Sequence, residues 1–462
     1  MDSKKEIVQN VMQFLSPDLC KSHPEVARRF FSKHLFPNGY DGEEKPARKR
    51  VRHGSKQRPK ADYETCLFWI DHRVNMNCRD TTHLDGKEYR QNYRMPWSEA
   101  EKLIQLFKTE GWLEVNPTTA SGKKSCPIEI KILASLYWLG EGCSFRTVRN
   151  VAGRVLSRQS IRNFALSFCR IVATELAPLH IRMPATVEEL GIINRAYRRR
   201  GFPGCCGSMD GVQLFWDACP YRLRTTFTGK EKRPTVGFNV TVDHDCKFLY
   251  VGDLFAGRFN DKTKVRYDRY VAKLRTGEFK DVKFQYIDET GVLQEETGPW
   301  LICDNGYHRW SQTLAPCTTT AVPHLAMWSK KMEATRKDVE RSFGMSKKRF
   351  RILKFPFSLR DVRDINFVTI ACFTFHNMLF DYDEQFKDRA GDELSAIEQA
   401  NRAARIVAGQ QERIHVTLAN ADQVGAEPQL ECVPEFDEAY ERKRHKMSMH
   451  LYFEYVRRNL IW

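Results

Sequence analysis

Between residues 66 and 183, apolar positions recur every three or four residues, the spacing of one helical face against a core. Within that stretch Ser98 opens a helix over 99–110, and Pro127 stands at the first turn of a helix over 128–139. Ser144 caps a short helix over 145–151, and Ser157 opens a longer one running to about residue 175, with Gly153 turning the chain between them. This is a helix-turn-helix layout. Ile161, Phe164, Ala165 and Phe168 take the inner face of the second helix, leaving Arg158, Arg162 and Asn163 on or near the outer face, where a recognition helix reads DNA bases. The same pattern also fits a plain helical hairpin.

After Arg198-Arg199-Arg200-Gly201-Phe202-Pro203-Gly204 the period changes from helix to strand, which places a domain boundary there. Residues 205–215 predict a strand carrying Asp210, 236–242 and 247–254 predict two more joined at Asp243-His244-Asp245, and 299–303 predict a short apolar strand ending at Asp304. Residues 337–353 return to a helical pattern, with Val339, Phe343, Phe350 and Leu353 on one stripe and Arg336, Glu340, Gly344, Lys347 and Arg351 on another. Antiparallel strands followed by alternating helix and strand are the order of an RNase H-like core. The expected class is therefore α/β: a mixed sheet with flanking helices, preceded by a helical, helix-turn-helix-like domain. The corresponding division is a basic arm over 1–62, a helical domain over 63–200, a catalytic-type domain over 201–385 and an extension over 386–462.

The flanks differ in character. Residues 4–15 and 24–35 have helical periodicity, and 45–60 hold eight Lys or Arg and no acid, a tract that repels itself and suits nuclear import or phosphate binding. Residues 383–408 are acidic then helical in pattern, 410–435 are mixed, and 439–462 form a basic amphipathic helix expected to dock on the body. With 74 Lys+Arg against 58 Asp+Glu, a formal charge of +16 and a pI near 9.2, the 462-residue chain favours a polyanionic partner. The 14 cysteines include no Cys-x-x-Cys pair and no zinc spacing, and adjacent Cys205 and Cys206 cannot enter one core from a strand. The opening residues lack a signal-peptide core, and no apolar run reaches the ~20 residues a bilayer demands.

Three acids carry the candidate chemistry: Asp210 in Gly-Ser-Met-Asp-Gly, Asp304 in Cys-Asp-Asn-Gly-Tyr, and Glu340 in Val-Glu-Arg-Ser-Phe-Gly. In an RNase H-like sheet the first and fourth strands are neighbours, so an acid within one and an acid at the end of the other converge at one edge, and a helix across them supplies the third. Hard oxygen ligands of this kind suit magnesium or manganese, and two such ions can activate an attacking oxygen and stabilise a leaving one on a phosphodiester. Singly, Asp-Asn-Gly is a common turn and Glu-Arg an ordinary helix surface. It is their joint occurrence on the required element types that points to chemistry.

These stretches, together with Val339-Glu340-Arg341-Ser342-Phe343-Gly344-Met345 and Ala371-Cys372-Phe373-Thr374-Phe375-His376-Asn377-Met378-Leu379, resemble the catalytic domain of Harbinger-superfamily DDE transposases, especially the plant-type transposon proteins. The resemblance runs from about residue 89 to 379 and maps that family's three acids onto Asp210, Asp304 and Glu340. A further family acid corresponds to Asp261 in Ala-Gly-Arg-Phe-Asn-Asp, where Ala256 and Arg258 depart from the usual motif, making Asp261 an additional metal neighbour. Residues 275–298 form an insertion with the pattern of a hairpin turning at Asp288-Glu289-Thr290-Gly291. The resemblance implies DNA cutting and joining in the nucleus with magnesium or manganese, a Myb-like DNA-binding partner protein and a homo-oligomer on paired transposon ends. Arg336, Lys347 and Arg351 are the basic residues expected to meet phosphate beside the acids. A relative that keeps the fold but only binds DNA or protein is the alternative, and binding of RNA rests on charge alone.

Overall fold

The computed structural model describes residues 62–113, 125–318, 320–380 and 437–457. The basic tract over 45–60, the periodic pieces over 4–15 and 24–35, and the segments over 383–408 and 410–435 lie outside the described residues. Helices α1 (Leu84–Tyr93), α2 (Trp97–Thr109), α3 (Ile128–Glu141), α4 (Phe145–Val151), α5 (Arg158–Ile171) and α6 (Val187–Arg198) precede the sheet. Two serines act as expected: Ser144 Oγ accepts from Thr147 N at 3.2 Å to start α4, and Ser157 Oγ accepts from Ser160 N at 3.0 Å to start α5. The chain between them turns at Gly153 (φ +59°) and Arg154 (φ +63°). Helix α2 starts earlier than Ser98, because Pro96 supplies the extended residue before the first turn. Helix α6 is capped by Thr186, whose Oγ1 accepts from Glu189 N at 3.3 Å.

The strands follow as β1 (Cys205–Phe215), β2 (Thr235–Val242), β3 (Phe248–Val251) and the two-residue β4 (Phe255–Ala256). Short helices α7 (Asp261–Val265) and α8 (Arg269–Arg275) lead to β5 (Lys283–Ile287), β6 (Leu293–Thr297), β7 (Trp300–Ile302) and β8 (Thr313–Leu314). Helices α9 (Pro323–Arg349), α10 (Val362–Met378) and α11 (Glu438–Val456) complete the described chain. The main sheet has the order β3-β2-β1-β7-β8, with β4 also on β2. Strand β2 is antiparallel to β1 and β3, whereas β7 is parallel to β1 and β8 parallel to β7. This is a mixed sheet flanked by helices. The strand expected over 247–254 is broken: Gly252 N donates to Asn239 O at 2.7 Å, and β4 then returns to pair with Val236 and Gly237.

The insertion is a two-stranded hairpin with Ile287 opposite Leu293. Asp288 sets its turn, Oδ1 accepting from Thr290 N at 2.9 Å and Val292 N at 3.0 Å. It does not stand free as a flap. Helix α11 lies along it, with Lys446 Nζ on Glu296 Oε2 at 2.6 Å, Ile287 N on His450 Nδ1 at 2.9 Å, and buried Lys443 donating to the carbonyls of Thr297 and Gly298 at 2.8 and 2.7 Å.

Helix α9 begins fourteen residues before the expected 337, at Pro323, a residue suited to a first turn. Its early part buries a narrow stripe containing Trp328 and Met332 amid polar neighbours, which weakens the apolar period. It stops at Arg349, and 351–353 form a separate 3-10 turn, so Arg351 is not on the helix. The expected stripe is buried: Val339, Phe343, Phe350 and Leu353 all face the core.

One continuous apolar core joins Phe107, Leu136 and Phe168 of the helical part with Val212, Leu214, Val240 and Phe248 of the sheet and Phe343, Phe373 and Phe375 of α9 and α10. A second core on other elements takes Cys206 and Met209 with α8, and a third takes Cys205 with Trp300, Trp328, Tyr440, Met447 and Leu451. The adjacent cysteines thus enter different cores. Among the described residues no helix is long and apolar enough to cross a membrane.

Candidate active site

Strand β1 places Asp210 opposite Val240, and β7 runs beside β1 with Ile302 level with Ser208. The chain leaves β7 two residues before Asp304, which therefore comes up next to Asp210. Gly306 N donates to Asp304 Oδ1 at 2.8 Å and fixes the turn. Below it, Tyr307 Oη donates to Asn239 Oδ1 at 2.6 Å, and Asn239 Nδ2 donates to Asp268 Oδ2, pinning the Asp-Asn-Gly-Tyr loop to β2 and to α8. Asp268 also caps α8 through the amides of Tyr270 and Val271.

Asp261 joins the pair at the start of α7, which Asn260 caps by accepting from Thr263 N at 2.8 Å. Its approach depends on two glycines. A Cβ at Gly211 would stand 2.9 Å from Asp261 Oδ1 and 3.3 Å from Lys264 Nζ, and one at Gly306 would stand 3.0 Å from Asp304 Oδ1 and 3.4 Å from Asp261 Oδ2. Only hydrogen fits there without displacing an acid. Lys264 is buried and donates to Asp261 Oδ1 at 3.0 Å.

Glu340 reaches this group through a cation. From α9, Arg336 donates Nη1 to Asp210 Oδ2 at 2.9 Å and brings Nη2 to 3.1 Å from Glu340 Oε1 and 3.3 Å from Glu333 Oε2. The guanidinium lies between an acid on the sheet and an acid on the helix. Burial pushes the Asp210 carboxyl up to about 6, with the charges of Asp304 and Asp261 acting the same way and the Gly211 amide and Arg336 opposing. The excess of negative charge at this edge is therefore only partly compensated by the chain itself.

The donor chemistry fits a hard divalent cation: carboxylate oxygens on adjacent elements, one of them with its pKa raised chiefly by burial and further by its acidic neighbours. Among the described residues, however, no three acidic, histidine or cysteine side chains already form a metal-ligand set. Arg336 and Lys264 each hold a carboxylate where such a set would close.

The other basic candidates separate from the acids. Arg351 Nη1 pairs with Glu141 Oε2 of α3 at 3.0 Å, and Lys347 is half-buried, its ammonium pKa lowered by desolvation. On α5, Arg158 and Asn163 are exposed, Asn163 Oδ1 accepting from Gln159 Nε2 at 2.7 Å, while Arg162 is half-buried with Nη2 3.7 Å from Asp364 Oδ2. Ile161, Ala165 and Phe168 are buried, as the helical pattern requires. The bridging role of Arg336, the Lys264–Asp261 pair and the Asn239–Asp268–Tyr307 network were not legible in the sequence. Only Lys264, three residues after Asp261 on one helical face, carried a local signal.

Searches of curated proteins and of solved structures return no match. Residues 180–387, a stretch containing Asp210, Asp261, Asp304 and Glu340, match the family model described as plant transposon protein, to which this part of the chain is similar.

Proposed function

We propose that this chain is a DDE-type transposase or nuclease with an RNase H-like core, acting on DNA in the nucleus with magnesium or manganese. The observation that carries the reading is the meeting of Asp210, Asp304 and Asp261 beside parallel β1 and β7, with Glu340 tied to Asp210 through Arg336. The strand order β3-β2-β1-β7-β8, with the first three antiparallel and the last two parallel to β1, supports the same core. Asp210 and Asp304 would hold the cation, with Asp261 beside them and Glu340 completing the shell once Arg336 releases it. When bound, the ion would supply charge stabilisation on the phosphate and a more nucleophilic water or 3′-hydroxyl. The chain's own residues position the site: Gly306 N fixes the Asp304 rotamer, and Gly211 leaves room for Asp261. In this reading the α4–α5 hairpin presents Arg158 and Asn163 to DNA, and a Myb-like protein and a second copy of the chain are the expected partners.

A second reading, a non-catalytic DNA- or protein-binding relative, draws on the same geometry. Arg336 and Lys264 already pair with three of the acids, an arrangement equally suited to a surface that binds without catalysing. One comparison decides between them. Asp304→Asn is expected to abolish manganese-dependent strand cleavage and to remove manganese binding in calorimetry with a short DNA duplex present, while DNA affinity stays within about twofold. Equal cleavage and equal metal binding by both proteins would sink the catalytic reading.

A further inference from the structure

Strand β1 does not stop at the acids. It continues five residues past Asp210 to Phe215, about 17 Å at the usual strand rise, and β2 begins opposite it at Thr235. Residues 216–234 thus emerge from the sheet beyond the level of Asp210. Their base is fixed. Trp216 is buried and donates Nε1 to Leu359 O at 2.7 Å, Phe357 N donates to Phe215 O at 2.8 Å, and Ala218 N donates to Phe357 O at 3.2 Å. The Phe227 ring meets Trp216 edge to face with centroids 4.9 Å apart, and Thr228 bridges Pro234.

What this anchored loop presents is cationic. Arg222, Arg224, Lys230 and Lys232 are exposed, and Tyr221 is 91% exposed beside them. Glu231 is the acid among them, since Asp217 is occupied by Arg233 at 2.9 Å. The loop also touches the segment leading to Asp261: a Cβ at Gly229 would stand 2.1 Å from Gly257 O, and the next residue, Arg258, is exposed. Exposed cations on an anchored loop thus border the strand and the segment that supply two of the acids. A solvated basic loop has no need of such an anchored base, nor of an exposed tyrosine next to Arg222.

We infer that residues 221–233, with Arg258, form a docking arm for the DNA entering the acidic site, the arginines and lysines on its phosphates and Tyr221 against an unpaired base. The inference rests on the proposed action on DNA and names the surface that carries it. Phosphate contacts set salt dependence, each worth about 0.9 in the logarithmic slope on duplex DNA, and a stacked base is sequence-tolerant.

The test uses the full chain and fluorescence anisotropy in EDTA, so that binding is read apart from cleavage. Replacing Arg222, Arg224, Lys230 and Lys232 together with alanine is expected to weaken binding to a short labelled duplex at least about tenfold and to lower the salt slope by up to about 3.6. Tyr221→Ala is expected to lose about tenfold on a duplex with a single-stranded overhang and nothing on the blunt duplex. All five side chains are exposed, and melting curves beside the parent check that each variant is folded. Unchanged affinity and slope in the fourfold variant overturn the inference, as does tighter binding of an RNA duplex of the same sequence by the parent. Asp304→Asn serves as control: if it cleaves like the parent, the proposed function fails whatever the arm does, whereas an arm variant that binds normally beside an inactive Asp304→Asn defeats the arm alone.

Discussion

Replacing Asp210 by asparagine keeps the shape of the side chain and removes its charge, and without divalent cations the exchange is expected to stabilise the protein. In the fold the carboxyl is raised from its ordinary 3.8 to about 6, first by burial and then by Asp304 and Asp261. A carboxyl raised on folding favours the native state only while it is protonated. That contribution is present below about pH 4, fades as the pH climbs through about 6, and leaves a constant cost above. At about 1.4 kcal/mol per pH unit the interval corresponds to about 2–3 kcal/mol. Arg336 loses one partner in the variant but keeps Glu333 and Glu340. Urea unfolding in EDTA should therefore show Asp210→Asn more stable than the parent by about 2–3 kcal/mol at pH 7.5 and equal to it at pH 4. Asp268, also pushed up to about 6 by burial, is present in both proteins and cancels in the difference. A variant no more stable at pH 7.5, or a gain independent of pH, would refute the account of a site held under electrostatic strain. Saturating manganese should reverse the order, because a ligand that binds only the folded parent adds its own stabilisation.

Two further outcomes follow from other contacts. Arg336→Gln removes the cation shared by Asp210 and Glu340, and calorimetry should find manganese bound about tenfold more tightly, about 1.4 kcal/mol; equal affinity would deny the arginine any competition with metal. Lys443 is buried and its ammonium is lowered to about 8, chiefly by desolvation, so the native fold bears a cost below about pH 8 that lifts as the pH rises towards 10.5. The parent should gain about 3–4 kcal/mol relative to Lys443→Met across that window in denaturant titrations, and parallel pH profiles would contradict it.

What could be read from the sequence was local. Ser144, Ser157 and Asp288 each announce an element through a hydrogen bond to a backbone amide two or three residues on, and each does so in the structure. The side-by-side placement of the Asp210 and Asp304 strands followed from fold logic and is seen in the β1–β7 pairing. Helix α6 had a legible start in Thr186 and Glu189 that the change of period after residue 198 overshadowed. The pairing of Arg336 with Asp210 spans 126 positions, and no periodicity encodes a contact at that separation. Strands β4 and β8, at two residues each, are too short to leave a pattern and exist because neighbouring strands accept them. The break in the strand expected over 247–254 has the same origin, since β2 had a free edge for the returning chain at Val236 and Gly237.

Helix α11 has a consequence for the order in which the molecule is made. Tyr440, Met447 and Leu451 pack in one cluster with Trp300 and Ile302, the residues of the strand that delivers Asp304, yet they follow α10 only after some sixty further positions. During synthesis at about 5–20 residues per second, the wall behind β7 stays open for roughly 4–15 s after α10 has been made. Through that interval the nascent chain carries its acids without α11 packed behind β7. The contacts behind β7 are thereby completed only when α11 emerges, and a fragment ending where the transposon-protein match ends, at residue 387, would lack them.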